Sequence, residues 1–262
     1  MEKYKFLFTI DPTSNPILLD DSTSILGEEI SLLRDEEDGK DTQLQFSSIH
    51  LNELDDPIVI WSRGESLRRI YLGVNAILLG YFDDPNKPSY FFRLSNLYKG
   101  SERITPNNIE PTIPMFPYSS IETKMSTDIT SQLIFLSKTN KDILALLLQF
   151  GTGSSWINLY SILDTLKYYS GLKKIDIIKM TNVEDNVKAF TGMANNFGLL
   201  GINARHGEVG WSKPQKSITL KDAIYTIISL ARTYLNEVYK FNIPTLNKPD
   251  DVDSIWTFDF HF

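Results

Sequence analysis

The 262-residue chain contains no cysteine. That absence rules out disulfides, thiolate-held zinc, iron–sulfur ligation and a cysteine nucleophile, and it fits a cytoplasmic protein. Histidine is scarce: only His50, His206 and His261 can supply an imidazole. Long apolar runs are missing too. The longest, such as 143–148, fall well short of the roughly 20 residues that cross a bilayer. The run at 4–10 is too short for a signal peptide and soon meets Pro12 and the acidic pair Asp20-Asp21. No membrane association is expected.

Positive charge is also in deficit, with a formal net charge of −7, but unevenly. Residues 1–126 carry 12 Lys and Arg against 20 Asp and Glu, a net of −8, whereas residues 127–240 carry 13 against 9, a net of +4. Only the second part could attract a polyanion, and an excess of +4 across a helical domain is weak beside the clustered basic face of a nucleic-acid binder. With 42% hydrophobic residues the chain can still bury a sizeable core.

The first 50 residues alternate short apolar runs, at 4–10, 17–19, 29–33 and 43–51, with turn clusters at 11–16 and 35–40. This predicts a small, mostly antiparallel sheet, with His50 in its last strand. Residues 64–79 place Leu67, Ile70, Tyr71, Val74, Ile77 and Leu78 at helical steps, as an amphipathic helix packing on that sheet would. Strand character returns at 89–97. Pro106, Pro111, Pro114 and Pro117 then interrupt regular structure and place a connector at 106–126, between an N-terminal α+β domain (1–105) and a helical domain (127–240).

In the helical part, 155–169 sets Trp156, Leu159, Tyr160, Leu163 and Leu166 on one face. Thr181-Asn182-Val183-Glu184 has capping-box form and predicts a helix toward Asn195. Thr219 to Asp222 predicts the start of a longer one, whose apolar stripe runs from Ala223 to Val238. Residues 241–262, with Pro244, Pro249 and the aromatics Trp256, Phe258, Phe260 and Phe262, read as an extended tail that docks on a surface.

Between the two best helices, the run from Gly198 to Glu208 holds Asn203-Ala204-Arg205-His206-Gly207. Here alone a histidine, an arginine and flanking glycines coincide. A neutral histidine can move a proton near pH 7, an arginine fork can grip a phosphate, and an asparagine can orient either. The bland alternative is a helix terminator whose Arg205 and His206 bond loop carbonyls. Other candidates carry less. Gly151-Thr152-Gly153-Ser154-Ser155 lacks the lysine of a phosphate-binding loop and reads as a helix connection ending in a serine cap. Glu122-Thr123-Lys124 matches a nuclease Glu-x-Lys element by chance, and the pairs Asp20-Asp21, Asp55-Asp56 and Asp83-Asp84 abut turns. Nothing calls for a metal or a cofactor.

The runs 156–164 (WINLYSILD), 190–196 (FTGMANN) and 204–207 (ARHG) resemble the C-terminal helical region of a group of uncharacterised bacterial proteins, and through it the HEPN superfamily of helical bundles, over about residues 140–240. The resemblance implies a helical bundle, a setting in phage defence or a similar conflict system, and pairing of two copies. Active HEPN ribonucleases place an arginine before a histidine with four to six residues between them. Here Leu199, Leu200 and Gly201 stand at that distance from His206, and Arg205 is adjacent instead. Neighbours on a helix point about 100° apart, so the two could converge on one phosphate only in a loop.

Together these readings predict an α+β chain in which a small sheet with one packed helix precedes an all-α, HEPN-like bundle. The expected function is that of a cytoplasmic bacterial binding or regulatory protein acting through protein or RNA contacts, with homodimerisation a further expectation. Arg205 and His206 are the candidate reactive pair, Asn203, Asn196 and Glu208 the candidate ligand contacts, and Trp156 and Tyr160 the support behind them. The alternative is a metal-independent ribonuclease with His206 as base and Arg205 as charge stabiliser.

Overall fold

The computed structural model describes residues 3–11, 29–35, 43–80, 92–105, 116–125, 127–208 and 214–246. The run 17–19, the pairs Asp20-Asp21 and Asp83-Asp84, the first three connector prolines and the aromatic tail beyond Leu246 lie outside the described residues.

Five strands form one antiparallel sheet: β1 (Leu7–Ile10), β2 (Ser31–Asp35), β3 (Gln43–Ser47), β4 (Leu94–Lys99) and β5 (Glu102–Ile104), in the order β2-β3-β1-β4-β5. Their register explains the buried face. Leu32 pairs with Phe46, Phe46 with Phe8, Phe8 with Leu97 and Leu97 with Ile104, so one cross-strand row of apolar side chains faces a single side. After β3 the chain does not continue as a strand. Ser48 caps a 3₁₀ turn at Ile49–Leu51, which turns His50 into the interior rather than leaving it in the sheet.

The apolar row receives α1 (Pro57–Leu79). This helix starts seven residues, about two turns, before the predicted position 64, because Asp56 accepts from Ile58 N–H and Pro57 occupies a first-turn position where no N–H is needed. Gly64 lets α1 lie on the sheet: a Cβ there would come within 2.6 Å of the Phe8 ring. The sequence predicts a helix buried on one side; α1 is buried nearly all round. Its second face, through Gly73, meets the helical part of the chain; of its buried arginines, Arg68 is bonded to Phe92 O and Glu65, and Arg63 uses Nη1 on His50 O and Glu53 while its Nε is left without a partner.

The helical part comprises α2 (Ile129–Ser137), α3 (Lys141–Phe150), α4 (Trp156–Leu172), α5 (Ile177–Thr181), α6 (Glu184–Ala194), α7 (Phe197–Leu200) and α8 (Leu220–Tyr239). Helix α3 packs on α1 and α4, and α8 packs on α4, α5, α6 and α1. Ser155 and Thr219 cap α4 and α8 as their sequences predict. Thr181 does not cap α6. It ends α5 with its hydroxyl bonded to Ile177 O and Thr233, Asn182 turns left-handed, and α6 starts uncapped after Val183. Asp142 of α3 is buried and accepts from the hydroxyls of Tyr234 and Tyr239, tying α3 to α8. Residues 241–246 lie back along α8, held by Asn236, which exchanges two bonds with Ile243. Among the described residues no helix is long and apolar enough to cross a membrane.

Candidate functional site

The Arg205 loop is built from the end of α6. Asn196 is buried, and its carboxamide oxygen accepts from Leu199 N–H to start α7; it is spent on the backbone rather than offered to a ligand. Gly201 takes φ +55° and opens a 3₁₀ turn. The chain then returns: Ala204 is buried and Arg205 N–H donates to Ala194 O at 2.8 Å, covering an orphan carbonyl of α6. From that anchored backbone the side chains of Asn203, Arg205, His206 and Glu208 project on the exposed side.

Arg205 is held in place. Its guanidinium lies 4.0 Å above the Tyr160 ring and 3.3 Å from Asp164 Oδ2, both on α4. Tyr160 leans on Phe190, and Trp156 stacks on the same ring at 5.8 Å with planes 13° apart. An aromatic layer therefore orients the cation, and Asp164 offsets its charge. With Arg205 paired to Asp164 and Glu208 exposed further along, the loop presents mixed charge together with an aliphatic projection, Ile202, which is 88% exposed. Such a surface suits another protein's side chains better than a phosphate backbone.

A second constellation, not visible in the sequence, lies where the connector crosses the sheet. His50 is fully buried, Glu29 nearly so, and Glu29 Oε2 meets His50 Nε2. Thr123 donates to Glu29 Oε1, and Lys138 Nζ lies 3.2 Å from the same oxygen and 2.8 Å from Thr123 Oγ1. On the other side of the ring, Ser119 Oγ stands 2.8 Å from His50 Nδ1, and Ser119 N–H points at that nitrogen from 3.2 Å. Tyr118 packs edge-on against the imidazole and bonds Ser137 and Ile134 O. The only sequence signal was that Glu29 and His50 are polar residues inside apolar runs.

Burial works to raise the Glu29 pKa, but hydrogen bonds from His50 and Thr123, together with the nearby Lys138 cation, outweigh it and hold the carboxyl below its ordinary value. Its stabilising contribution is thus complete above the usual carboxylate range and is lost as pH falls through the lowered value. Glu29→Gln is expected to cost about 2 kcal/mol near pH 7, with the gap to wild type narrowing once the pH falls below the ordinary carboxylate range. Urea midpoints above and below that range measure this; a gap that stays constant in acid would contradict it.

Elsewhere, Asp185, Asn186, Lys216, Ser217, Thr219 and Asp222 line a shallow polar hollow beside the start of α8, crossed by a 2.6 Å Lys216–Asp185 ion pair. Among the described residues no three His, Asp or Glu side chains gather as a metal ion would require. No protein-family model, curated protein or solved structure matches this chain.

Proposed function

We propose that this chain is a cytoplasmic binding protein that works through protein contacts, and that its contact surface is the outer face of α4 with the adjoining Arg205 loop. The observation that carries the reading is that α4 presents large apolar side chains on its outer face as well as on its buried one. Leu159, Ile162, Leu163 and Leu166 are wholly buried, yet Ile157, Tyr168 and Leu172 on the opposite side stand 47–63% exposed. Three large apolar side chains set among Ser161, Asp164 and Lys167 on one helix face form the kind of patch that a partner covers.

The occupant that fits is a second copy. The outer stripe runs Ile157, Ser161, Asp164, Tyr168, Leu172. In an antiparallel pairing about a two-fold axis between positions 164 and 165, Ile157 meets the partner's Leu172, and the small Ser161 meets the partner's Tyr168. The two Asp164 carboxylates approach near the axis, and each is already offset by its own Arg205. The resemblance to HEPN-like bundles, which pair, supports the same occupant. The ribonuclease alternative has less support, because Arg205 is engaged by Asp164 and Tyr160 rather than directed to a phosphate.

Sedimentation equilibrium is expected to give twice the 30.0 kDa chain mass at micromolar concentration. Tyr168→Glu should raise the dissociation constant by at least about a hundredfold, about 2.7 kcal/mol, with the helical signal unchanged. A single-chain mass at all concentrations overturns the reading. So does a Tyr168→Glu dimer as tight as wild type, or RNA that the protein retards, or cleaves in the presence of chelator.

A further inference from the structure

A second site stands at the junction of connector and sheet, independent of the α4 face. An ionised Glu29 is an acceptor only, so His50 Nε2 must carry the proton that joins them. In the neutral ring Nδ1 is then an acceptor, and it is this nitrogen that the Ser119 hydroxyl and the Ser119 N–H address. The network therefore fixes one tautomer, with a serine hydroxyl donating to a base whose other nitrogen is oriented by a carboxylate. His50 is wholly buried, and Ser119, which is half-buried, stands between its Nδ1 and the surface, so that nitrogen is reached past Ser119.

We propose that Ser119 is an activated nucleophile, with His50 as its general base and Glu29 as the orienting carboxylate, and that the trio hydrolyses carboxylic esters with an apolar acyl group. The imidazole is used in the reverse sense to the most familiar serine triads, Nδ1 toward serine and Nε2 toward the carboxylate, and either nitrogen can serve as base. The apolar preference comes from Phe116, whose ring is 56% exposed and packs edge-on against Tyr118, itself packed on His50. Ser119 Oγ also accepts from Ile121 N–H at 3.4 Å, a local bond that holds the hydroxyl in place beside His50.

In the first half-reaction Ser119 Oγ bonds to the ester carbonyl carbon while its proton passes to His50 Nδ1. The tetrahedral oxyanion collapses, the bond to the alkoxy oxygen breaks, and the alcohol leaves with that proton. Water then attacks the acyl-serine and gives a proton to Nδ1. The acyl–Oγ bond breaks, the carboxylic acid departs, and Ser119 recovers its proton from His50. Ester and water become acid and alcohol, with no other reactant. Glu29 remains ionised throughout and stabilises the transient imidazolium.

The test uses the full-length protein with an alkyl fluorophosphonate and with p-nitrophenyl butyrate. Peptide mapping is expected to find one phosphonyl adduct, on Ser119. Ser119→Ala should abolish the adduct and the esterase rate, and His50→Gln should slow labelling by about a hundredfold or more. Because His50 is wholly buried its variant can misfold, so the wild-type adduct and the Ser119→Ala variant, with near-ultraviolet circular dichroism as the check on folding, decide the matter. Folded wild-type protein that takes up no fluorophosphonate at Ser119 overturns the proposal, as does undiminished ester hydrolysis by folded Ser119→Ala. A serine that merely pins the connector would not react.

Discussion

Replacing Gly151 by valine is expected to cost more than about 4 kcal/mol of stability, a large part of the about 5–15 kcal/mol available to a typical domain. Gly151 has φ −73°, a conformation open to any residue, so its requirement is one of space. A Cβ there would lie 1.8 Å from the carbonyl oxygen of Arg69 and 2.5 Å from its carbon, both in the backbone of α1. A flexible side chain could swing away; a carbonyl in mid-helix can move only with the helix. The demand is reciprocal, since a Cβ on Gly73 of α1 would lie 2.0 Å from Leu147 O of α3. The crossing of α1 and α3 therefore exists only while both glycines remain, and through α1 it joins the sheet to the helices. Gly171 is the internal control. It lies inside α4 with nothing within 4 Å of its Cβ position, so Gly171→Ala should stabilise by about 0.5–1 kcal/mol. Urea unfolding of both variants checks the pair, and a Gly151→Val midpoint equal to wild type would show that the helices separate at no cost.

This crossing also shows where the sequence stops being informative. Local rules recovered what is locally determined: the alternation of β3, the serine cap of α4, the threonine cap of α8. They failed where two local signals compete. Thr181 offers a capping box to Glu184, but its hydroxyl goes to Ile177 O within the preceding turn, so the same residue closes one helix instead of opening the next. They were silent where the determinant is tertiary. The period of α1 identifies its sheet-facing side, but nothing in it reveals that Gly73 faces another helix. The Arg205 loop was legible because its residues are consecutive. Its neighbours Tyr160 and Asp164, which decide what the guanidinium can do, come from a helix forty residues earlier, and Glu29, His50 and Ser119 meet from three separate segments.

Arg232→Met should cost about 4 kcal/mol while leaving side-chain volume nearly unchanged, because the loss is of donors and not of packing. Arg232 is 5% exposed and donates to Ile77 O at 2.7 Å, Leu78 O at 2.9 Å and Pro244 O at 2.6 Å. The first two carbonyls belong to the last turn of α1, where no intrahelical donor remains and the helix dipole is negative. Burial lowers the pKa of Arg232, but a guanidinium stays charged in proteins, and the three carbonyls supply the solvation that it has lost. Methionine would remove the donor from all three, leaving Ile77 O buried and Leu78 O and Pro244 O partly buried. It would also loosen residues 241–246 at Pro244, where Arg232 fastens them in addition to the Asn236–Ile243 bonds, so hydrogen exchange in that segment should rise together with the fall in stability. Arg232→Lys restores the charge but not the fork, since one ammonium cannot reach both the end of α1 and the returning chain with the same geometry; it should recover only part of the loss. If Arg232→Met unfolds within about 1 kcal/mol of wild type, the carbonyls find other donors, and the argument that this residue closes α1 onto α8 is wrong.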